Sequence, residues 1–225
     1  MADVVISLGA SDIFSLGAKF LAQTTSATVS QENSKMIKGN GDYQKISDVF
    51  NILTSVTATY KYTDITGLGE ALPKVGNVVN AYLITSIAIA TSQEYPEITI
   101  TGHQHAANAH TDLGKNLYSI PADIIALLTG AWGVYDFFAK SSTLACATDS
   151  NYELSINHID AECNGSHFVG QNIQGIEQAT VNYVGTAATP ATVSGWTVTS
   201  YDQPTSNVDF YKSTISAERV VARDA

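Results

Sequence analysis

Residues 77–110, NVVNAYLITSIAIATSQEYPEITITGHQHAANAH, are the longest apolar, β-branched passage of the chain and carry its densest group of histidines. A period of two runs through them. Val79, Ala81, Leu83, Thr85, Ile87 and Ile89 share one face, and Val78, Asn80, Tyr82, Ile84, Ser86 and Ala88 share the other. Apolar residues on both faces predict a strand covered on two sides, central in its sheet rather than at an edge. Residues 92–96 then supply a turn, Ile98 and Ile100 a second short strand that ends at Gly102, and residues 103–110 a polar loop.

Strand signals continue on either side. Ile52, Thr54, Val56, Ala58, Tyr60 and Tyr62 alternate with polar residues, and from Tyr152 onward Leu154 and Ile156, then Ala179, Val181 and Tyr183, then Trp196 and Val198, then Tyr211, Ser213, Ile215 and Ala217 do the same. Pro121, Asp123 and Gly130 bracket a helix over 121–130, with Ile124, Ile125, Leu127 and Leu128 available to cover the sheet and Trp132, Val134, Phe137 and Phe138 extending that apolar surface. Near the N-terminus, Ser11 or Asp12 caps a short helix whose apolar residues are Ile13, Leu16, Phe20 and Leu21. The Thr/Ser/Asn/Gly-rich residues 23–44 read as an extended arm, and residues 64–77, rich in Gly, as irregular. The expected fold is mainly β, an antiparallel β-sandwich or barrel with one flanking helix and long loops. Its parts are a helical N-terminal region (1–22), an arm (23–48) and a β-rich domain (49–225). An echo between TSQEYPEITITG from Thr91 and TSNVDFYKSTISA from Thr205 suggests two related β units, 49–115 and 150–221, around the helix.

Composition narrows the function classes. Of 225 residues 44% are hydrophobic and only 14% charged, which excludes a disordered chain and leaves a surface of Thr, Ser, Asn, Ala and Gly suited to contact with neighbours. A net charge of -10 repels phosphate and anionic lipid, so specific nucleic-acid binding is not expected. Two cysteines, Cys146 and Cys163, are too few for a disulfide framework and read as buried thiols. No apolar run is long enough for a membrane helix, and MADVVISLGASDIF lacks the basic start of a signal peptide, so synthesis in the cytoplasm is expected.

His103, His105 and His110, followed by Asp112, are the candidate metal ligands, since imidazoles two apart on an extended chain point to one side. The spacing is similar to the start of a cupin metal site but lacks the glutamate that follows there. The competing reading is a polar turn bonded to backbone or to a neighbouring subunit. His158, Asp160 and His167 form a looser set, read as a strand edge. Asp123, Asp136, Glu153, Asp160 and Glu162 are the carboxylates from which an acid/base pair would be drawn, with surface charge as the default. No G-x-S-x-G elbow is present, Gly67 and Gly69 lack the rest of a phosphate loop, and Asn164-Gly165-Ser166 is a formal glycosylation sequon. No catalytic residue and no cofactor is expected.

Residues 165–185, GSHFVGQNIQGIEQATVNYVG, residues 195–221, GWTVTSYDQPTSNVDFYKSTISAERVV, and residues 85–105, TSIAIATSQEYPEITITGHQH, resemble the strand-rich region of bacteriophage tail-tube and related virion proteins. The resemblance lies in texture and strand order over residues 52–221. It implies a homo-oligomer of stacked rings in the virion, in contact with other virion proteins, that forms a hollow conduit for DNA and performs no chemistry. Other virion roles, such as a capsid decoration or baseplate ring protein, suit the same composition. A metal-dependent cupin-like enzyme built on the histidine loop, and a carbohydrate-binding sandwich using Trp132 and Trp196, are the rivals from other classes.

Overall fold

The computed structural model describes residues 4–7, 11–32, 35–37, 43–46, 50–63, 68–92, 94–105, 116–128, 133–138, 146–163, 166–184, 193, 195–203 and 212–224. In chain order the elements are β1 (Val4–Ser7), β2 (Phe20–Glu32), β3 (Lys35–Ile37), β4 (Tyr43–Ile46), β5 (Phe50–Tyr62), α1 (Leu68–Ala71), β6 (Val78–Val79), β7 (Tyr82–Thr91), β8 (Glu97–His105), α2 (Ala122–Leu127), β9 (Cys146–Cys163), β10 (Ser166–Val184), β11 (Thr197–Asp202) and β12 (Lys212–Val221). Nine of the strands form one antiparallel sheet in the order β1-β2-β5-β8-β7-β9-β10-β12-β11, with β6 on β7, and β3 pairs with β4 separately. The mainly β, antiparallel class with a flanking helix is what the chain adopts. The sheet does not close into a barrel, because it ends in β1 on one side and β11 on the other. It is nevertheless curved, for β10 also approaches β5, four places away.

Cross-strand register explains the core. Tyr60, Ile98, Ile89, Tyr152, Ala179 and Ala217 lie side by side across six strands, and all are buried. The neighbouring row is Ala58, Ile100, Ile87, Leu154, Glu177 and Arg219. Phe14, Leu68, Val75, Tyr118, Ile124, Leu128, Phe137 and Phe138 cover this face. On the other face stand Thr59, Thr99, Ala88, Glu153, Gln178 and Glu218, and beside them Thr57, Thr101, Ser86 and Ser155. Hydroxyls of Thr57 and Thr101, and of Thr59 and Thr99, meet at 3.5 Å, the cross-strand pairing that suits β-branched residues.

The passage that decides the fold is central, as β7 sits fifth of nine, but it is not one strand. Asn80 and Ala81, with φ of 48° and 69°, turn β6 back onto β7. Asn80 tolerates this conformation and anchors it by donating from Nδ2 to Ile13 O and Ser15 Oγ. A bulge between Ile84 and Ser86 then lets Ile84 join Ile87 and Ile89 in the core, an interruption that strict alternation does not foresee.

Three further expectations are corrected. The helix expected over 11–21 is a turn: the Asp12 carboxylate accepts from the Leu16 and Gly17 amides at 2.9 Å, and positive φ at Ser15 and Gly17 sends the chain into β2. The arm expected over 23–48 is largely strand, with residues 23–32 in β2 and β3 and β4 beyond it, because Thr-rich sequence pairs well when a neighbour such as β5 is present. The strand expected to stop at Gly102 continues as β8 through His105, held between β5 and β7. By contrast, the helix expected over 121–130 forms as α2 after Pro121, with Ile124 and Leu128 buried and residues 129–130 outside the described set. Of the second member of the proposed echo, residues 205–217, the first seven, Tyr211 included, also lie outside it and the rest are in β12, and Trp132 lies outside it too.

Two ribbons leave the same end of the sheet, where β8 ends and β7 begins. One is β2 with β5, prolonged by β3 and β4. The other is β9 with β10: after Ser155 β9 has no further pairing with β7, and before Gly175 β10 has none with β12. Residues 156–163 and 166–174 therefore pair only with each other among the described residues.

Candidate functional site

The histidines lie at the base of these ribbons. His103 and His105 project from one strand two residues apart, and their ring centroids are 5.7 Å apart. His158, from β9, stands 5.1 Å from His103. The expected pair is thus brought together with a member of the looser set, whereas His110 and Asp112 lie outside the described residues. Asp160, Glu162 and His167 are placed by backbone alone in the β9–β10 ribbon, where His167 pairs with Glu162 and Gly170 with Asp160.

The position of His158 is fixed by two asparagines. Asn116 Nδ2 donates to Asn172 O at 2.6 Å, and Asn172 Nδ2 returns a bond to Asn116 O at 3.1 Å. With its nitrogen donating, Asn172 offers Oδ1 to His158 Nδ1 at 2.7 Å, so that nitrogen carries the proton. Gly76, at φ +89°, lies against the pair: a Cβ there would stand 2.6 Å from Asn116 O and 2.8 Å from Asn172 Nδ2. This arrangement ties the ribbon to the loops over the core. Among the described residues no three His, Cys, Asp or Glu side chains are grouped so as to hold a metal ion.

A second cluster carries the strongest electrostatics. Glu177 is fully buried, accepts the Tyr152 hydroxyl on Oε1 and accepts Arg219 Nε on Oε2. The rest of the guanidinium clasps Asp123 with two bonds, 2.8 and 3.0 Å, and lies 4.5 Å from the Trp196 ring centroid. The bonds to Arg219 hold the Asp123 carboxyl below its usual range. Burial, and then the Glu177 charge, push the Tyr152 hydroxyl far above its ordinary value, so it stays a donor. A cleft of about 410 Å³ runs alongside, lined by Ser119, Pro121, Glu177, Arg219 and Asp224 among others.

Chemically the cluster is a brace. Both Glu177 oxygens are occupied, and one guanidinium joins Glu177 to Asp123, leaving no pair of carboxylates arranged as acid and base. The other expected carboxylates are dispersed: Asp136 accepts the Tyr183 hydroxyl at 2.5 Å, and Glu153 lies on the polar face of the sheet. Trp196 packs edge-on against Phe138 rather than standing as an exposed platform. Cys146 is exposed, contrary to the buried thiol expected, because it sits at the start of β9. Lys74, Ser119 and Asp224 form a smaller clamp, with Asp224 accepting from Lys74 Nζ at 2.7 Å and Ser119 Oγ at 2.8 Å.

Glu177 and Arg219 are the residues the sequence reading passed over, although each lies two positions beyond an apolar run already identified as core-facing. No helix among the described residues is long and apolar enough to cross a membrane. No protein-family model matches the sequence, and a search of curated proteins gives no match.

Proposed function

We propose that the chain is a self-assembling structural subunit of the phage tail-tube kind, which polymerises by adding sheet to sheet and does no chemistry. The observation that carries this reading is the open antiparallel sheet. On one side β1 covers only residues 26–29 of β2, leaving residues 20–25 without a strand on that flank among the described residues. On the other side β11 pairs with β12 alone among the described residues. Eight strands separate the two flanks inclusively, so β2 and β11 run in opposite directions and a head-to-tail contact between copies continues the antiparallel alternation. Exposed strand edges are the usual template for pairing with another chain.

The hydroxyl-rich face also supports the reading. Assembled into a ring, such sheets present a weakly charged wall, and an acidic chain of net charge -10 does not retain DNA passing by it. The subunit would then be made in the host cytoplasm and function in the virion beside other virion proteins. A capsid decoration or baseplate ring protein would use the same edges but stop at rings.

Negative-stain electron microscopy of the purified chain over a range of concentrations tests this directly. Hollow tubes or stacked rings are expected. A field of uniform monomers at every concentration would remove the proposal, and metal analysis of the same sample tests the rival enzyme reading.

A further inference from the structure

The β9–β10 ribbon is tied to the rest of the subunit by a run of hydrogen bonds that ends beyond β12. β12 stops at Val221, opposite Gly175 at the root of the ribbon, and residues 222–224 continue past residues 116–119 as a strap. Asp224 N donates to Leu117 O at 2.9 Å. The Asp224 carboxylate accepts from Lys74 Nζ at 2.7 Å, Ser119 Oγ at 2.8 Å and Ser119 N at 3.3 Å. Arg223 Nη1 donates to Asn116 Oδ1 at 3.0 Å. Asn116 is the residue that exchanges bonds with Asn172, and Asn172 holds His158, so strap and ribbon share one asparagine. Next to it the Tyr118 ring lies on Gly175, where a Cβ would stand 2.5 Å from Tyr118 Cδ1. Tyr118 and Val75 exchange both backbone bonds at 3.0 Å, which seats residues 116–119 on the loop before β6.

We propose that residues 222–224 are a conformational latch: closed, they hold residues 116–119 against the root of the β9–β10 ribbon and fix its direction, and released, they free the ribbon while the sheet stays intact. The strap is held by polar contacts rather than by packing. Ala222 and Arg223 are exposed, and the cleft of about 410 Å³ is lined by Ser119, Ile120 and Pro121 from one segment and by Val220, Ala222 and Asp224 from the other. The Lys74 and Asp224 side chains are 49% and 25% exposed, so solvent screens their ion pair and opening the clamp costs little. The ribbon is the part that feels this. Residues 156–163 and 166–174 pair only with each other among the described residues, and a two-stranded ribbon is marginally stable by itself. Residues 150–155 of β9 pair with β10 on one side, and from Ser150 to Ser155 with β7 on the other, so they keep their partners when the strap leaves. The latch works within one subunit, whatever that subunit assembles into.

Amide hydrogen exchange of the dilute full chain, read by mass spectrometry, tests the latch. Arg223→Ala cuts the bond to Asn116, and Asp224→Ala opens the clamp on Lys74 and Ser119. Each is expected to speed exchange across residues 156–163 and 166–174 about fivefold, the equivalent of about 1 kcal/mol, and to leave residues 150–155 unchanged. Asn116→Ala removes the shared residue. It is expected to speed the same ribbon amides, and Arg223→Ala added to it is expected to change nothing further, because members of one hydrogen-bonded network are not additive. In nitrogen NMR spectra the single His158 tautomer, protonated on Nδ1 by its bond to Asn172, is expected to give way to a mixture in Arg223→Ala. The latch is refuted if ribbon exchange is unchanged in both strap variants, if residues 150–155 accelerate equally, or if the effects of Asn116→Ala and Arg223→Ala simply add.

Discussion

Replacing Arg219 by Met tests whether the buried brace holds the second half of the sheet together. Among the described residues Arg219 is the only cation bonded to Glu177, which has no exposure to water, and the Arg219 side chain itself is 18% exposed. Removing one partner of a buried ion pair costs about 3–5 kcal/mol, because the remaining charge keeps its desolvation penalty without its compensation. Asp123 is different. Its side chain is 59% exposed, so solvent screens its share and Asp123→Asn is expected to cost less than about 1 kcal/mol. With a urea slope of about 2–3 kcal/mol/M for a domain of this size, Arg219→Met lowers the unfolding midpoint by roughly 1–2 M. Adding Glu177→Gln should recover more than half of that loss, because the neutral amide still accepts the Tyr152 hydroxyl. Urea melts of dilute protein, followed by circular dichroism and tryptophan emission, give all four values. The reasoning is refuted if Arg219→Met costs under about 1 kcal/mol, or if Asp123→Asn costs as much as Arg219→Met.

Gly76→Ala forces a Cβ against Asn116 and Asn172 at positive φ and should cost about 2–3 kcal/mol, some 4–12 °C in Tm for a chain of this length, whereas Gly17→Ala, at φ +88° with nothing within 4 Å, should cost only the backbone share of about 1–2 kcal/mol. Acid weakens the fold through two carboxyls. The bonds from Arg219 lower Asp123 below 3.8, and for Asp224 burial opposes the shift but the bonds from Lys74 and Ser119 outweigh it. A depressed folded-state pKa gives stability present above the unfolded value and lost as pH falls through the folded one, so Asp123→Asn and Asp224→Asn should each flatten the loss below about pH 4 in acid melts. At the alkaline limit burial raises the Tyr60 and Tyr135 hydroxyls to about 12, so their stabilising protonation is complete below pH 10 and lost toward pH 12. Ultraviolet titration should show a late-ionising class of tyrosines that shrinks in Tyr60→Phe.

Much of the sheet was legible because alternation is written residue by residue. Val56, Ala58, Tyr60 and Tyr62, and likewise Ala179, Val181 and Tyr183, are buried where period two places them. What misled was local backbone geometry. Positive φ at Asn80 and Ala81, the bulge at Ile84, and the Asp12 turn all interrupt a pattern without changing its composition. The brace was within reach of the same period: continuing from Ala179 gives Glu177, and from Ala217 gives Arg219, a carboxylate and a guanidinium at core-facing positions of two strands. Their pairing depended on register, which no single strand states. The histidine base was half legible, since the spacing of His103 and His105 places them together, but His158 arrives from a strand 53 positions later through the path of β9.

The low charge of the chain follows from how the sheet uses its two faces. One face is apolar and covered, which takes the aliphatic and aromatic residues, and the other is Thr, Ser, Asn and Gln across eight strands, from Thr24 on β2 through Thr59, Thr99, Gln178 and on to Thr197 on β11. Glu153 and Glu218 are the only ionisable groups in that row. A free-standing sheet keeps itself soluble and single by placing lysines and glutamates on its open face and edges. Here the edge strands carry little of that protection: residues 20–25 of β2 contain no acidic or basic side chain, and β11 has only the Asp202 carboxylate. Their defence is geometric, a bulge at Gln23 on β2 and another at Thr199 on β11. In both strands the bulge puts the core-facing neighbours three apart, Ala22 and Thr25 on one, Val198 and Tyr201 on the other.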